Sequence, residues 1–421
     1  MGRRRLSAAA LAALLLLLPA CGAKEDVPAV TSRDEPVTLV QATDLHYISP
    51  AICDNGAAFH TMVENSDGKA MFYIQEIMET FVDEMTALQP DGVLLTGDLT
   101  LLGAKASHQD LAKLLDKLRE AGVQTLVIPG NHDLDSTSAL SFDGEDYASA
   151  EGLSAEEFET LYAPYGFDQA LSRDEHSLSY VYAPRKDLRV VMLDANAGGW
   201  CSVPDETVAW LEQQLKAAKR AGAKVVAASH QNLAVHDPRF TWGYQIVEGD
   251  DLRALYEKYG VLCNLSGHLH NQHIVDGAVP EVATSALSIC PNQYGVVTYD
   301  GETLSYETRE LDVAAWAAKN GRTDAELLDF AAYSEEFMTA VNRNKTAARL
   351  ADSGLTEEEV ALLADTVARL NTAYFSGAAF DLAPYEEGIA LWRANGGNRH
   401  LESIAAEAAE DYRWLTVTAG G

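Results

Sequence analysis

The sequence is poor in basic residues. Its 421 residues include 31 Lys and Arg against 63 Asp and Glu, which gives a formal net charge of −32. A surface this acidic repels nucleic-acid backbones, so we do not expect the protein to bind duplex DNA or RNA. A small phosphate ester in a metal-bearing pocket is still compatible with this charge, because bound cations reverse the local field.

Long hydrophobic runs are also scarce. The run Leu6–Leu18 covers 13 residues, fewer than the ~20 that a transmembrane helix needs. Nothing after it is long and apolar enough to span a bilayer. Three arginines, Arg3–Arg5, precede the run, which is the anatomy of a signal peptide. The segment that closes it resembles the lipobox of a bacterial lipoprotein, with the sequence Leu18-Pro19-Ala20-Cys21-Gly22.

This resemblance implies a cellular location for the protein. We expect a signal peptide at 1–20, lipidation of Cys21 and a flexible tether at 21–36. The folded part would then lie outside the cytoplasm, anchored by lipid to the bacterial cell membrane. The alternative is an ordinary secretory signal with a chance cysteine.

Cysteines are few. Besides Cys21 the chain has only Cys53, Cys201, Cys263 and Cys290. Cys53 and Cys201 lie in loop-like stretches, and a disulfide between them is one expectation for an oxidising compartment, with free thiols as the other. Cys263 lies in an apolar run, where a small buried thiol is expected.

Residues 37–310 alternate between short β-rich runs and helical patterns, which predicts a layered α/β domain. Near-continuous apolar runs such as Val93-Leu94-Leu95 are typical of strands that are covered on both faces. The main predicted strands are Val37–Ala42, Gly92–Thr96, Thr125–Pro129, Leu188–Leu193, Lys224–Ser229 and Val261–Ser266.

Residues 311–421 have a different character. Ala, Leu and Glu dominate, and Thr323-x-x-Glu326 and Thr356-x-x-Glu359 both have the form of a capping box at a helix start. We therefore predict a C-terminal helical appendage. Its sequence carries no cluster of metal-ligand residues, so a role as a partner-binding module is also open.

Polar residues follow the ends of five predicted strands. In open α/β sheets, ligands bind at the carboxyl edge, so these residues are candidates for one shared site. In chain order the segments are Thr43-Asp44-Leu45-His46, Gly97-Asp98, Gly130-Asn131-His132-Asp133, His230 and Gly267-His268-Leu269-His270.

The chemistry of this set indicates metal binding. With His132 held apart it offers two aspartates, one asparagine and four imidazoles. Oxygen donors mixed with imidazole suit Mn, Fe or Zn rather than Ca. Seven ligands are too many for one tetrahedral zinc site, and they suit two ions that share one carboxylate. Each motif alone occurs by chance, and the conjunction of five in order carries the argument.

The order of these motifs resembles that of the calcineurin-like metallophosphoesterase superfamily over residues 37–310. The resemblance implies a four-layer αββα sandwich and a two-metal site. Carried over position by position, the first metal would be held by Asp44, His46 and His270, the second by Asn131, His230 and His268, and Asp98 would bridge the two.

The resemblance also implies the chemistry, which is attack on phosphorus by hydroxide that the metals activate. His132 would be the catalytic imidazole that protonates the leaving oxygen. Asp133 would tune or orient the site, and its alternative is a structural role as a helix cap or turn residue.

The second motif bears on the substrate. Protein phosphatases of the superfamily carry an Asp and an Arg that are missing from Gly97-Asp98-Leu99-Thr100-Leu101-Leu102-Gly103. This version resembles the small-molecule branch, which includes cyclic-nucleotide phosphodiesterases. We therefore expect a phosphodiester substrate, with a phosphomonoester or a non-catalytic metal- or ligand-binding lipoprotein as alternatives.

Three further segments are candidates for shaping the pocket. Residues 47–68 follow the first ligand pair and are predicted to lie over the metals. Trp200 is a candidate aromatic wall for a base or lipid, although a core position is equally compatible with it. His236 and Arg239 follow His230 closely and would either meet a phosphate or lie on the exposed surface.

Overall fold

The structure, a computed structural model, describes residues 35–420. The predicted signal peptide and Cys21 lie outside the described residues, as does the tether except for its last two positions. The described chain forms strands β1–β15, which are Val37–Ala42, Gly92–Thr96, Thr125–Ile128, Leu140–Asp143, Asp146–Ser149, Ser172–Arg173, Tyr180–Arg185, Leu188–Leu193, Lys224–Ser229, Val261–Ser266, His273–Val275, Glu281–Ala283, Gln293–Tyr299, Thr303–Glu310 and Trp414–Thr418.

Helices alternate with these strands and then dominate the C-terminal region. In chain order, α1–α12 are Ala57–Glu64, Ile74–Leu88, Lys105–Glu120, Ala155–Leu161, Asp205–Ala221, Gly249–Tyr259, Val313–Lys319, Ala325–Leu328, Phe330–Leu350, Glu357–Phe375, Glu386–Ala394 and Arg399–Glu407. None of the helices in residues 35–420 is both long and apolar enough to cross a bilayer.

Two mixed sheets form the centre of the molecule. The first has the order β15-β14-β13-β1-β2-β3, and the second has the order β11-β12-β10-β9-β8-β7-β6. Strands β1, β2 and β3 run parallel, as do β8, β9, β10 and β12, and antiparallel strands flank both parallel groups. Parallel strands bring their carboxyl ends to the same edge of a sheet, which is where the predicted site residues follow.

The alternation of side chains along β8 and β9 produces the layers. Val190, Met192 and Val226 belong to the large core that also contains β1, β2, α2 and α3. Their neighbours Val191 and Ala227 pack instead with α5 and α6 in a second core. Because successive strand residues point to opposite faces, the second sheet is buried on both sides. The resulting order is helices, sheet, sheet, helices, and the predicted αββα fold is confirmed.

The predicted strands match the structure closely. Five of the six main ones have the predicted bounds, and β3 ends at Ile128 rather than at Pro129. The C-terminal region differs in one respect, because its helices are followed by β15, which pairs antiparallel with β14. The region is therefore helical only up to its final strand.

Helix starts in the C-terminal region follow prediction in one case of two. The capping box at Thr356 and Glu359 is formed at the start of α10. The box expected at Thr323 is wrong, because Asp324 caps α8 and its side chain accepts from the backbone N–H groups of Glu326 and Leu327.

Of the two expectations for Cys53 and Cys201, free thiols are found and the disulfide is not, since all four cysteines within residues 35–420 are free. The two loops have different neighbours. The backbone of Cys53 forms an isolated parallel β-bridge with that of Phe142, whereas the Cys201 thiol is buried and donates to the Gly243 carbonyl over 3.0 Å.

Candidate metal centre

The carboxyl ends of both sheets contribute to one site. Strands β1, β2 and β3 of the first sheet lead into the loops that carry Asp44, His46, Asp98 and Asn131. Strands β9 and β10 of the second sheet lead into those that carry His230, His268 and His270. The fold thus brings all seven predicted ligand residues to one edge of the sandwich.

The first ligand set consists of Asp44, His46, Asp98 and His270, whose ligand atoms all lie within 4.8 Å of one another. The Nε2 atoms of His46 and His270 are 3.2 Å apart. They lie 3.8 and 3.3 Å from the same carboxylate oxygen, Oδ1 of Asp44. Two imidazole nitrogens and a carboxylate oxygen therefore converge on one point.

The second ligand set consists of Asp98, His230 and His268, again within 4.8 Å of one another. The Oδ1 atom of Asn131 joins it at 3.1 Å from Nε2 of His230. Asp98 belongs to both sets, so its carboxylate is placed to bridge two ions.

The donors fit bound cations. Among residues 35–420, the buried Oδ1 of Asp44 has no hydrogen-bond partner, and a buried acceptor without a partner is costly. A cation would satisfy this oxygen and the facing imidazole nitrogens together. Since the set mixes carboxylate, amide and imidazole, it suits two divalent transition-metal ions. Such ions would polarise a phosphate ester and lower the pKa of water at the site.

Three ligand imidazoles are fixed from behind by hydrogen bonds. Nδ1 of His230 donates to the Thr96 carbonyl over 2.9 Å, and Nε2 of His268 donates to the Gly243 carbonyl over 2.8 Å. Nδ1 of His270 donates to Oδ2 of Asp67 over 2.8 Å. Each bond leaves the other ring nitrogen as the one available to a metal, and partners of this kind also raise ligand basicity.

Asp67 was not among the predicted site residues. It lies at the end of the stretch 47–68 that the sequence places over the metals, and it also accepts from Nζ of Lys69 at 2.8 Å. Its Asp-Gly context in the sequence is that of an ordinary turn. Only the fold shows that its carboxylate holds His270.

The ligand loops have an unusual backbone. Five of the seven ligand residues adopt a positive φ, namely Asp44 at 52°, His46 at 49°, Asp98 at 47°, His268 at 68° and His270 at 65°. This conformation is uncommon for residues other than glycine, and it costs about 1–3 kcal/mol where the surrounding structure enforces it. The side chains of Asp44 and His46 both reach the first ligand set, whereas His268 and His270 reach one set each.

Two motif glycines allow the loops to approach the ligands. A Cβ atom at Gly130 would lie 2.2 Å from Oδ1 of Asp98, and one at Gly267 would lie 2.7 Å from Oδ2 of Asp44. Any side chain at either position would displace a ligand carboxylate. The close approach explains why glycine precedes Asn131 and His268 in the motifs.

The electrostatics of the site favour a cation. Burial opposes ionisation of Asp98, but the neighbouring His230 and His132 hold its pKa well below its usual range. Burial likewise opposes protonation of His230, but Asp98 raises its pKa to about 9. Burial and the nearby His230 lower the pKa of His268 to about 4. The carboxylates thus stay charged and attract positive charge, and a divalent ion would replace the imidazole protons.

His132 and Asp133 occupy different places. The imidazole of His132 is 40 % exposed and its Nε2 lies 3.8 Å from Oδ2 of Asp98, so it borders the ligand sets without joining them. Asp133 is buried, and its carboxylate accepts from the backbone N–H groups of Gly130, Leu99 and Thr100 at 2.8–3.0 Å. Asp133 therefore has the position expected of a structural turn residue. Its carboxylate joins two ligand loops and does not contact the ligand sets.

The remaining candidates are distributed around the site. Trp200 is 60 % exposed rather than part of the core, and it borders a cavity of about 520 Å³ that also contacts Asn131. Arg239 lines a second cavity, beside His268 and His270. His236 is buried, with its Nδ1 3.0 Å from Nδ1 of His273, and it belongs to neither ligand set.

Residues 37–272, more than half of the chain, match the family described as calcineurin-like phosphoesterase. The chain belongs to the calcineurin-like phosphoesterase family. It is accordingly a metal-dependent phosphoesterase, a hydrolase of a family that uses divalent metals. Residues 312–411 of this phosphoesterase match a second family, the C-terminal domain of cyclic nucleotide phosphodiesterase.

Solved structures show more distant similarity. A dimetal phosphatase from Danio rerio is 12 % identical with a TM-score of 0.48, and the match covers 66 % of this phosphoesterase and 97 % of that chain. The sulfate thiohydrolase SoxB from Thermus thermophilus is 15 % identical with a TM-score of 0.36, covering 76 % and 62 % of the two chains. No curated protein sequence matches the phosphoesterase.

Proposed function

We propose that this phosphoesterase hydrolyses a phosphodiester, and that its substrate is a cyclic nucleotide. The observation that carries the proposal is the pair of ligand sets joined through Asp98, with the His132 imidazole beside them. Two metals held this way suit in-line displacement at phosphorus. The cyclic-nucleotide substrate is supported by the family match of residues 312–411 and by the small-molecule form of the Gly97-Asp98 motif.

The residues divide the reaction between them. Water adds its oxygen to phosphorus while the bond between phosphorus and the leaving oxygen breaks. His132 gives the departing oxygen a proton from its imidazole, which is general acid catalysis, and the proton lost by water later restores it. Hydrolysis of a cyclic diester in this way opens the ring and leaves one phosphate monoester.

We also propose the cellular setting that the first residues imply, with the enzyme outside the cytoplasm and anchored through a lipid on Cys21. A Cys21→Ser variant tests this, because it has no thiol to lipidate: labelled fatty acid should be incorporated into the full-length protein and not into the variant. Absence of label from the unaltered protein would contradict the anchor. The metals we propose are Mn, Fe or Zn, which suit the donor set.

The function is tested by counting metals and measuring turnover on the same sample. Residues 22–421 are purified without chelator and assayed with Mn²⁺ on 3′,5′-cyclic AMP, bis(p-nitrophenyl) phosphate and p-nitrophenyl phosphate. We expect about two metals per chain and faster hydrolysis of the diesters. Asp98→Asn should weaken both metal sites together, whereas Asp352→Asn, at an exposed position on the C-terminal region, should change neither metal content nor rate.

The outcomes separate the alternatives. Hydrolysis of the monoester alone would favour a phosphomonoesterase. Two metals without turnover on any ester would favour a metal-binding lipoprotein. Failure to bind metal after reconstitution would contradict the ligand assignment itself.

A further inference from the structure

A cavity of about 260 Å³ lies between the metal ligands and the C-terminal helices. His268 and His270, one residue from each ligand set, form its floor. The loop that carries Arg239, Phe240 and Tyr244 forms one wall. The helices α9, α10 and α12 supply the opposite side through Asn342, Asn371 and His400. The two family segments of the chain therefore share one pocket beside the metals.

Aromatic rings form a continuous row along one wall of this cavity. The Arg239 guanidinium lies 5.0 Å above the Phe240 ring. The centroids of Phe240 and Tyr244 are 5.1 Å apart, and those of Tyr244 and His268 are 4.9 Å apart. The row leads from the half-exposed Phe240 directly to a metal ligand, so a flat group bound along it would point toward the metals.

A chain of hydrogen-bonded polar side chains lines the other side of the cavity. Arg239 is held by the Asp237 carboxylate and donates to Nδ1 of His400. The other nitrogen of that ring, Nε2, must then carry the proton, and it donates to Oδ1 of Asn371 over 2.7 Å. Nδ2 of Asn371 in turn points to Oδ1 of Asn342 at 3.4 Å. The two carboxamides are thus oriented by a chain of contacts rather than left free to rotate.

Both carboxylates that border the cavity are paired with a cation. Asp237 pairs with Arg239, and Asp67 pairs with Lys69 at 2.8 Å. Nζ of Lys345 donates to the Ser66 carbonyl over 2.6 Å. A pocket with paired carboxylates, aromatic rings, carboxamides and one lysine held by a carbonyl suits a planar ligand with hydrogen-bonding edges.

We infer that this cavity binds the nucleobase of the substrate, with Asn342 and Asn371 recognising its hydrogen-bonding edge and Phe240 and Tyr244 contacting its face. The inference rests on the proposed function. Carboxamides recognise base edges by paired donor and acceptor groups, and aromatic rings bind bases by stacking. The cavity is smaller than the roughly 300–1,000 Å³ that enclose an entire drug-sized ligand, so it suits one ring system of a nucleotide whose phosphate lies at the metals.

The test compares two substrates on the metal-loaded protein. Bis(p-nitrophenyl) phosphate offers an aromatic ring but no base edge, whereas 3′,5′-cyclic AMP offers both. Asn342→Ala and the isosteric Asn371→Asp, which keeps the acceptor for His400, should lower kcat/KM for the cyclic nucleotide about tenfold relative to that for the synthetic diester. The change should lie mainly in KM, because the metal ligands are untouched.

Asn395→Ala is the matched control. Asn342 and Asn395 each donate from Nδ2 to the carbonyl four residues earlier over 2.9 Å, but Asn395 is exposed at the end of α11. The control should leave the ratio of the two kcat/KM values unchanged. Its constancy would show that the effect at Asn342 does not come from the helix bond.

The outcomes distinguish this inference from the proposed function. Equal effects on both substrates, or none, would overturn the inference while diester hydrolysis stood. Turnover of the synthetic diester with no cyclic nucleotide accepted would overturn the inference and the proposed substrate. Absence of turnover on every ester by the unaltered, metal-loaded protein would contradict the proposed function itself.

Discussion

His132 and Asp133 are neighbours in the sequence, yet their side chains face different parts of the structure. The imidazole of His132 is partly exposed beside Asp98, where a substrate can meet it. The carboxylate of Asp133 is turned into the protein and joins the Gly130 and Leu99 loops. The His132 imidazole is thus open to a substrate, whereas the Asp133 carboxylate holds two ligand loops together.

Replacement of His132 by Asn should therefore show the behaviour of a lost general acid. We expect a fall in kcat/KM of about 100-fold or more on 3′,5′-cyclic AMP, whose leaving alkoxide needs a proton. The loss on bis(p-nitrophenyl) phosphate should be much smaller, because nitrophenolate leaves without one. Metal content should be unchanged. Equal losses on the two substrates would contradict the role, and Asn395→Ala, at an exposed position at the end of α11, serves as control.

Asp67 is expected to tune the first metal through His270. Asp67→Asn removes the charged acceptor behind this imidazole, and changes of this kind typically cost 10- to 100-fold in metal affinity. A Mn²⁺ titration in competition with a chelator would measure the change. An affinity equal to that of the unaltered protein would show that the hydrogen bond does not matter for the metal.

At the scale of elements, helix α3 supports the ligand loops through one buried histidine. Nε2 of His108 lies 3.2 Å from the Asp133 carbonyl, and its Nδ1 lies 3.0 Å from the Tyr162 hydroxyl. Burial lowers the pKa of His108, although the Asp133 carboxylate opposes the shift. The folded protein therefore holds this ring neutral at pH values where an unfolded chain would protonate it.

This arrangement predicts a pH-dependent cost of replacing the ring. As the pH falls below about 6.5, the ordinary pKa of histidine, the unfolded chain binds a proton at this residue that the folded protein does not bind. The free energy of unfolding of the unaltered protein therefore decreases, by at most about 1.4 kcal/mol per pH unit. The difference in unfolding free energy between the protein and His108→Gln should shrink between pH 7.5 and 5.5 in urea titrations. A difference that stays constant over this pH range would refute the prediction.

The elements that the sequence predicts well are those with local signals. Strands β1, β2, β8, β9 and β10 are short apolar runs followed at once by polar or turn residues, and the ligand residues after β1, β2, β9 and β10 come with them. Asp67 could not be found this way, because it lies 203 positions from His270 and the fold alone joins them. Strand β15 did have a local signal, the alternation in Trp414-Leu415-Thr416-Val417-Thr418, which the surrounding helical composition concealed.

At the scale of the whole molecule, the C-terminal region is part of the catalytic fold. Trp316, Leu327 and Phe330 belong to the same apolar core as strands β1 and β2. Strand β15 returns to the first sheet, and the cavity beside the metals has walls from both family segments. A detachable partner-binding module would not be expected to share a core in this way.

Deletion of residues 312–421 should accordingly give an insoluble or unfolded protein, because it exposes this core. A milder variant, Trp316→Ala, should lower the free energy of unfolding by about 3–5 kcal/mol through the cavity that it leaves. Chemical denaturation followed by far-ultraviolet circular dichroism measures this value. A soluble, fully active deletion protein would instead support a separate interaction module.

The ligand sets also span the two sheets, and this has a mechanical consequence. A cation held by Asp44, His46 and His270 ties the end of β1 to the end of β10, and one held by Asn131, His230 and His268 ties β3 to β9 and β10. Elsewhere the sheets adhere largely through apolar contacts, which are non-directional. Under a pulling force the two sheets of the metal-loaded protein would thus separate first at the edge opposite the metals. Removal of the metals by a chelator would abolish this difference between the two edges.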